Sequence, residues 1–201
     1  MKITILDYGA GNVPSVERAL QRLGAQSQRT DSPECISKAD ALLLPGVGHY
    51  AALVRALDEK NLRAPLVDAI HRGVPFLGIC LGLQVLFKSS DEASQLHGLN
   101  LLPGIVSALP RNVKLPHMGW NQLEKKRDSS LLAGIDAAAY FYFAHSYAAI
   151  DSNGTTAATC SHGAEFTAVI EQRNIFAVQF HPEKSGDSGA RVLQNFLRLA
   201  A

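Results

Sequence analysis

Apolar residues in the first half of the chain gather into short unbroken runs, separated by stretches with helical spacing. The run at 2–7, KITILD, reads as a strand. After it, Val16, Ala19, Leu20 and Leu23 recur on one helical face, with Asn12 a candidate N-cap, Pro14 in the first turn and Gly24 just past the end. The pattern then repeats: ALLLPG at 41–46 is a buried strand, followed by helical stretches from about His49 to Lys60 and on to His71. VPFLGI at 74–79 is a further strand and LGLQVLFKSS at 81–90 a further helix. Strands this apolar have no face to turn to water, so the alternation predicts an α/β fold with a mostly parallel central sheet flanked by helices.

The second half has a different rhythm. IVSAL at 105–109, YFYFAHSY at 140–147, TTAATC at 155–160, FTAVIEQ at 166–172 and IFAVQF at 175–180 are separated by turn signals such as Asn153-Gly154 and Arg173-Asn174. These predict additional antiparallel strands joined as hairpins to the same sheet system. Leu193, Phe196, Leu197 and Ala200 mark one face of a closing helix. With no internal repeat and no low-complexity linker, a single domain over 1–201 is expected.

Composition narrows the possibilities by exclusion. The chain has 201 residues, 47% hydrophobic and 18% charged, an ordinary globular balance with enough length for a full core. Nineteen basic and 18 acidic residues leave a formal charge of +1, which offers no electrostatic ground for nucleic acid or an anionic membrane. The triplet Lys125-Lys126-Arg127, between Glu124 and Asp128, reads as a solvated loop. At the N-terminus Asp7 arrives too soon for a signal-peptide core. The apolar stretch at 74–87 is interrupted by Pro75, Gly78 and Gly82 and falls short of the roughly 20 residues a membrane helix needs. Cys35, Cys80 and Cys160 form no CxxC pair, so neither a disulfide framework nor a structural zinc site is indicated. A cytoplasmic protein without metal or cofactor is expected.

Within that frame one cysteine stands apart. In Gly78-Ile79-Cys80-Leu81-Gly82-Leu83-Gln84 the cysteine falls where a buried strand meets a helix, with glycine two residues away on either side. A sharp strand-to-helix turn strains its central residue and brings neighbouring backbones close, so only glycine fits around it. The sulfur is lifted clear of the sheet at a helix N-terminus, whose amides favour a thiolate, and the Leu81 N–H points into the same space. Cys35 and Cys160 lack this setting and read as small core residues.

A cysteine nucleophile needs a base, and the base needs an orienting group. His71, His97 and His162 sit near element ends or in a turn, and His49, His117 and His145 are candidates to line a cleft but have no carboxylate close in sequence. In Gln179-Phe180-His181-Pro182-Glu183 the strand runs out at a histidine, and Pro182 favours an extended chain. Side chains two apart on an extended chain share a side, so Glu183 can accept from one ring nitrogen of His181 while the other faces the thiol. A metal-binding reading of His-x-Glu lacks the PCxxC partner of the zinc deaminases. An oxyanion also needs donors. Leu81 N–H supplies one, and the loop Pro45-Gly46-Val47-Gly48, whose glycines let backbone N–H groups turn toward a ligand, supplies another at Val47.

GICLGLQ at 78–84, PGVG at 45–48 and HPE at 181–183 together resemble the class I, triad-type glutamine amidotransferases. DYGAGN at 7–12, PHMGWN at 116–121, YFAHSY at 142–147 and HPEKS at 181–185 narrow the resemblance to members that act as the glutaminase subunit of imidazole glycerol phosphate synthase. It runs over essentially the whole chain, without departure at a catalytic position. The resemblance implies that Cys80 attacks the side-chain amide of L-glutamine, His181 passes the proton to departing ammonia, and Glu183 orients His181. It implies that Gly48, Gln84, Ser146 and Tyr147 hold the substrate, and that Asn12, Trp120, Asn121 and Lys184 lie near the interface with a cyclase subunit in a heterodimer. The chain has no GKS/T phosphate loop, and 9–14 fails GxGxxG at its last glycine. An acceptor site for ammonia is therefore expected on the partner. Two alternatives stay open on sequence: a glutaminase serving another synthase, and a cysteine-dependent hydrolase using the same elbow on other substrates.

Overall fold

Both faces of the central strands are buried, and their alternation assigns each side chain to one of two cores. In the computed structural model, which describes residues 2–150 and 154–201, the first half runs β1 (Ile3–Leu6), α1 (Val13–Arg22), β2 (Ser27–Thr30), α2 (Pro33–Ser37), β3 (Ala41–Gly46), α3 (Tyr50–Glu59), α4 (Arg63–His71), β4 (Phe76–Cys80) and α5 (Leu81–Gln84). The second half runs β5 (Val106–Ala108), β6 (His117–Gln122), β7 (Glu124–Lys125), β8 (Tyr140–His145), β9 (Tyr147–Ala149), β10 (Thr156–Ser161), β11 (Glu165–Gln172), β12 (Ile175–Val178) and α6 (Gly186–Leu199). Eight strands form one sheet in the order β2-β1-β3-β4-β12-β11-β10-β7. It is parallel from β2 to β12 and antiparallel beyond. On one face Ile3, Leu43, Leu77 and Val178 pack with Val16 and Leu20 of α1 and Phe196 of α6. On the other, Leu42, Leu44, Phe76 and Ala177 pack with Leu53 and Leu57 of α3 and Leu66 of α4. This two-sided burial is what an all-apolar parallel strand requires.

The strands and helices expected of the first half are present, with β2 and α2 in addition. The helix expected over 81–90 is cut to α5. Beyond Gln84 the carbonyls of Val85, Leu86 and Lys88 accept from the N–H groups of Leu99, Leu101 and Gly98, so the segment 98–102 takes the bonds a longer helix would have used. Asn12 holds the N-cap position in a left-handed conformation (φ 55°), but its side chain does not cap α1. Nor do all the later strands join the main sheet. YFYFAHSY divides at Ser146: β8 pairs with β6 in one two-stranded sheet, and β9 with β5 in another. Phe141, Phe143 and His145 of β8 point inward while Tyr140 is exposed, and a strand with one outward face cannot lie in the middle of a covered sheet. Lys125 belongs to the edge strand β7 rather than to a solvated loop. Lys126 pairs with Glu124 and Glu165, and the Arg127 guanidinium donates to backbone carbonyls of Thr155 and Glu171. Cys160 is buried as expected, but Cys35 is exposed on α2. The turn at Arg173-Asn174 forms, with Arg173 left-handed (φ 55°). The one expected at Asn153-Gly154 begins outside the described residues.

The end of β3 carries the turn that follows β4. A Cβ on Gly82 would stand 2.0 Å from the Leu44 carbonyl oxygen, and one on Gly78 would stand 2.4 Å from the Gly82 carbonyl oxygen. Both glycines are demanded by backbone-to-backbone contact, which no side-chain rotation relieves. The expected outcome for Gly82→Ala is therefore a loss of about 1–3 kcal/mol of stability, the usual cost of overpacking. Denaturant unfolding measures it, and an unchanged midpoint would show the contact to be less tight than described.

Candidate active site

The strand-to-helix turn presents Cys80 at φ 55°, ψ −105°, a conformation that costs a non-glycine residue on the order of 1–3 kcal/mol and persists only where its surroundings impose it. Those surroundings are the backbones of β3 and α5 just described. The side chain is 4% exposed and lines a cavity of about 330 Å³. α5 has only four residues, so its dipole is a weaker support for a thiolate than the full helix expected from sequence.

The groups that support the sulfur come instead from the end of β12. His181 lines the same cavity as Cys80, and its Nδ1 is 3.1 Å from Glu183 Oε1. A carboxylate only accepts, so Nδ1 carries a proton and Nε2 is left for the sulfur. Both side chains are almost fully buried, at 2% and 1% exposure. Glu183 sits in a 3-10 turn, Pro182–Lys184, so this turn, rather than an extended chain, brings the two together. The pair is held on both sides. His181 N–H donates to the Tyr142 carbonyl, Ser185 Oγ donates to the His181 carbonyl and accepts from Tyr142 N–H, and Asn12 Nδ2 donates to Glu183 Oε1 at 3.2 Å.

Burial alone would lower the pKa of His181. The hydrogen bonds and negative charges of Cys80 and Glu183 outweigh it and push the value up to about 10. His145, across the same cavity, goes the other way. Burial first, with His117 and His181 adding repulsion against the pull of the Tyr147 carbonyl, brings it down to about 3. Its neighbour His117, stacked on Phe143, falls to about 4, again through burial first. The neutral tautomers follow from the partners. His145 Nδ1 donates to the Tyr147 carbonyl at 2.9 Å, so its Nε2 accepts from His117 Nδ1 at 3.1 Å. His117 Nε2 in turn accepts from Asn121 Nδ2 at 3.3 Å.

Most of the residues singled out in the sequence meet here. Val47, Gly48, Leu81, Gln84, Ser146, Tyr147 and Lys184 line the cavity with Cys80 and His181. Gln84 Nε2 is occupied by the Tyr147 carbonyl at 2.7 Å and Gln179 Oε1 at 3.0 Å, so only its buried, unpartnered Oε1 is free to accept from a ligand. The Tyr8 hydroxyl, buried without a hydrogen-bond partner among the described residues, lies against the Val47 backbone beneath the glycine loop, and burial raises its pKa. Asn12, Trp120 and Asn121 do not reach the cavity wall. Asn12 backs Glu183, and Asn121 donates to His117 and to the Ser161 carbonyl. Trp120 is 56% exposed and packs edge-on against Tyr142, whose ring also lies under the Lys184 ammonium. With Met118 and Tyr140 it forms an exposed apolar face beside the site. Sequence reasoning missed Glu92, which lines the cavity and accepts from Tyr50 N–H, and Gln179, wholly buried next to the sulfur. Gln179 had a signal: it is the one polar residue in IFAVQF, two positions before His181.

Comparison with known proteins gives the family. The family model for glutamine amidotransferase class-I matches residues 4–200. The imidazole glycerol phosphate synthase subunit HisH of Methanothermobacter thermautotrophicus is 49% identical, over 98% of both chains. The subunit of the same name from Moorella thermoacetica is 48% identical, over 96% of this chain and 93% of that one. Among solved structures, a glutamine amidotransferase superposes with a TM-score of 0.79 at 20% identity over 98% of each chain. PurLQS from Thermotoga maritima does so with a TM-score of 0.79 at 19% identity, over 100% of this chain and 99% of that one. At those identities the structural likeness concerns the fold, whereas the match over 4–200 and the near-half identity along whole chains show that this chain belongs to the class I glutamine amidotransferase family.

Proposed function

We propose that the protein is the glutaminase subunit of imidazole glycerol phosphate synthase, hydrolysing L-glutamine to glutamate and ammonia in the cytoplasm and passing ammonia to a cyclase subunit. The observation that carries the reading is a strained cysteine, backed by a buried His-Glu pair and opening on a cavity, in a chain 49% identical to an imidazole glycerol phosphate synthase subunit HisH. Cys80 Sγ attacks the amide carbon of glutamine, and backbone N–H groups of Leu81 and Val47, both at the cavity wall, are assigned to the oxygen on which negative charge develops. His181, already protonated and fixed by Glu183, gives its proton to the departing ammonia. In the second half, water loses a proton to His181 as it attacks the thioester, and the sulfur leaves as glutamate forms. Gly48, Ser146, Tyr147 and the free Oε1 of Gln84 surround the space where the amino acid lies.

The exposed face of Met118, Trp120 and Tyr140, continuous through Tyr142 with Lys184 at the cavity wall, is the surface on which the cyclase docks. The oxyanion loop at 45–48 is glycine-rich, with Gly48 at φ 95°, and Tyr8 is wedged beneath it. A loop so placed suits a gated site, with low activity until the partner binds. The test is ammonia release with and without the cyclase and its nucleotide ligand. Release is expected to rise with both present, and equal rates would overturn partner control. Cys80→Ser is expected to reduce glutamine hydrolysis at least about a thousandfold while leaving partner binding intact; turnover near wild type would remove the nucleophile from the account.

The charge state of His181 sets the alkaline limit. The proton it must deliver is lost as pH rises through about 10, so kcat/KM is expected to fall on an alkaline limb near that value. Removing the negative charge of Glu183 destabilises the imidazolium, so in Glu183→Gln that limb moves to lower pH. A limb that stays in place would show that the carboxylate does not hold the proton on the ring.

A further inference from the structure

Next to the sulfur lies a polar group that the mechanism above does not use. Gln179 follows the last residue of β12, and its N–H still donates to the Ala168 carbonyl of β11 at 2.9 Å, which fixes the backbone. Its side chain is 0% exposed, and its Nε2 is 3.5 Å from Cys80 Sγ with hydrogen-bond geometry.

The direction of this amide is determined by its neighbours. The Tyr147 carbonyl can only accept, so Gln84 must turn its Nε2 toward it, at 2.7 Å. That same Nε2 then also reaches Gln179 at 3.0 Å, where only an oxygen can receive it. With its Oε1 so engaged, Gln179 has its NH₂ left to face the sulfur. Flipping Gln179 would set two NH₂ groups against each other and an oxygen against the nucleophile. His145 Nδ1 donates to the same Tyr147 carbonyl and secures the far end of the chain.

We propose that Gln179 is a thiolate-stabilising residue, a buried donor aimed by Gln84 at the Cys80 sulfur that favours its negative form and fixes its direction into the cavity. A neutral thiol is a poor acceptor and a thiolate a good one, so a fixed N–H in a dry pocket discriminates between them. The sulfur is negative at two points of the proposed cycle, before it attacks glutamine and when water expels it from the thioester. It is neutral in between, so the donor favours both ends. His181 neutralises the sulfur, and the buried amide of Gln179 holds it with a further donor.

The proposal rests on Cys80 being the nucleophile, and its test is chosen to read the sulfur without glutamine. The other titratable groups that face it or share its cavity, among the described residues, are His181 with Glu183, Tyr8 from the loop after β1, His145 of β8, Tyr147 of β9, and Glu92 and Lys184 at the cavity wall. All are kept constant when Gln179 alone is changed. The measurement is the pH profile of Cys80 alkylation by iodoacetamide, read on the Cys80 peptide by mass spectrometry in a Cys35→Ser background. In Gln179→Leu the profile is expected to move up by about one pH unit, the effect of losing one hydrogen bond to a charged group. Gln179→Met, unbranched and similar in volume, carries the same expectation should the leucine variant fail to fold. In Gln179→Glu a like charge replaces the donor, and the profile moves up further. Glutamine turnover in the complex should fall about tenfold in the leucine or methionine variant. A folded variant that keeps the wild-type alkylation profile would reduce Gln179 to core packing and overturn the proposal. A wild-type chain that alkylates normally but never hydrolyses glutamine, even with the cyclase, would instead overturn the reading of function.

Discussion

The site depends on one backbone contact, the seating of the β4-to-α5 turn on the end of β3. With Gly82 pressed against the Leu44 carbonyl and Gly78 against Gly82, the chain has no room to relax Cys80 from its left-handed conformation. The strain of about 1–3 kcal/mol is borne by a sheet whose strands are buried on both faces. In return the sulfur stands at the head of the central strands, between β3 and β12, where the loops that follow both can reach it. A rigid sheet places the cysteine, and loops bring the remaining groups to it, the usual division between scaffold and chemistry in open α/β folds.

Two buried histidines facing one cavity show how neighbours decide charge. Burial penalises the charged form of both His181 and His145, yet one is pushed up to about 10 and the other down to about 3. The difference lies in what each ring touches. His181 meets a sulfur and a carboxylate; His145 meets a carbonyl, another imidazole and, at longer range, the His181 cation itself. The site thus holds one charged imidazole beside the sulfur and one neutral ring against the Tyr147 backbone. The neutral ring continues through His117 to Asn121 beside the exposed face of Trp120, so the cavity wall and that face share one hydrogen-bonded strand pair.

What could be read from the sequence was local. GICLG specifies its own turn because glycines two residues either side of a cysteine are a backbone requirement, and HPE brings an imidazole and a carboxylate together within three residues. The alternating apolar runs gave β1, β3 and β4 for the same reason, since each carries its burial in its own composition, whereas the edge strand β2, SQRT, is only partly buried and carries no such signal. What escaped was set by distant partners. α5 stops at Gln84 because the segment 98–102 takes the carbonyls beyond it. YFYFAHSY breaks at Ser146 because its halves pair with β6 and β5. Asn12, a reasonable cap by position, gives its amide to a carboxylate 171 residues away. Gln179 was visible as a polar residue in an apolar strand, but its direction depends on Gln84 and Tyr147, which no spacing reveals.

The central claim is that Cys80, and no other sulfur, bonds to substrate. It is tested most directly by quenching the protein in acid during turnover of glutamine with its cyclase partner and mapping adducts on the three cysteine-bearing peptides by mass spectrometry. A glutamyl thioester on the Cys80 peptide alone, with Cys35 and Cys160 unmodified, is the predicted result. Glutamine consumed with the adduct on another cysteine, or with none trapped on Cys80 even when thioester hydrolysis is slowed, would contradict it.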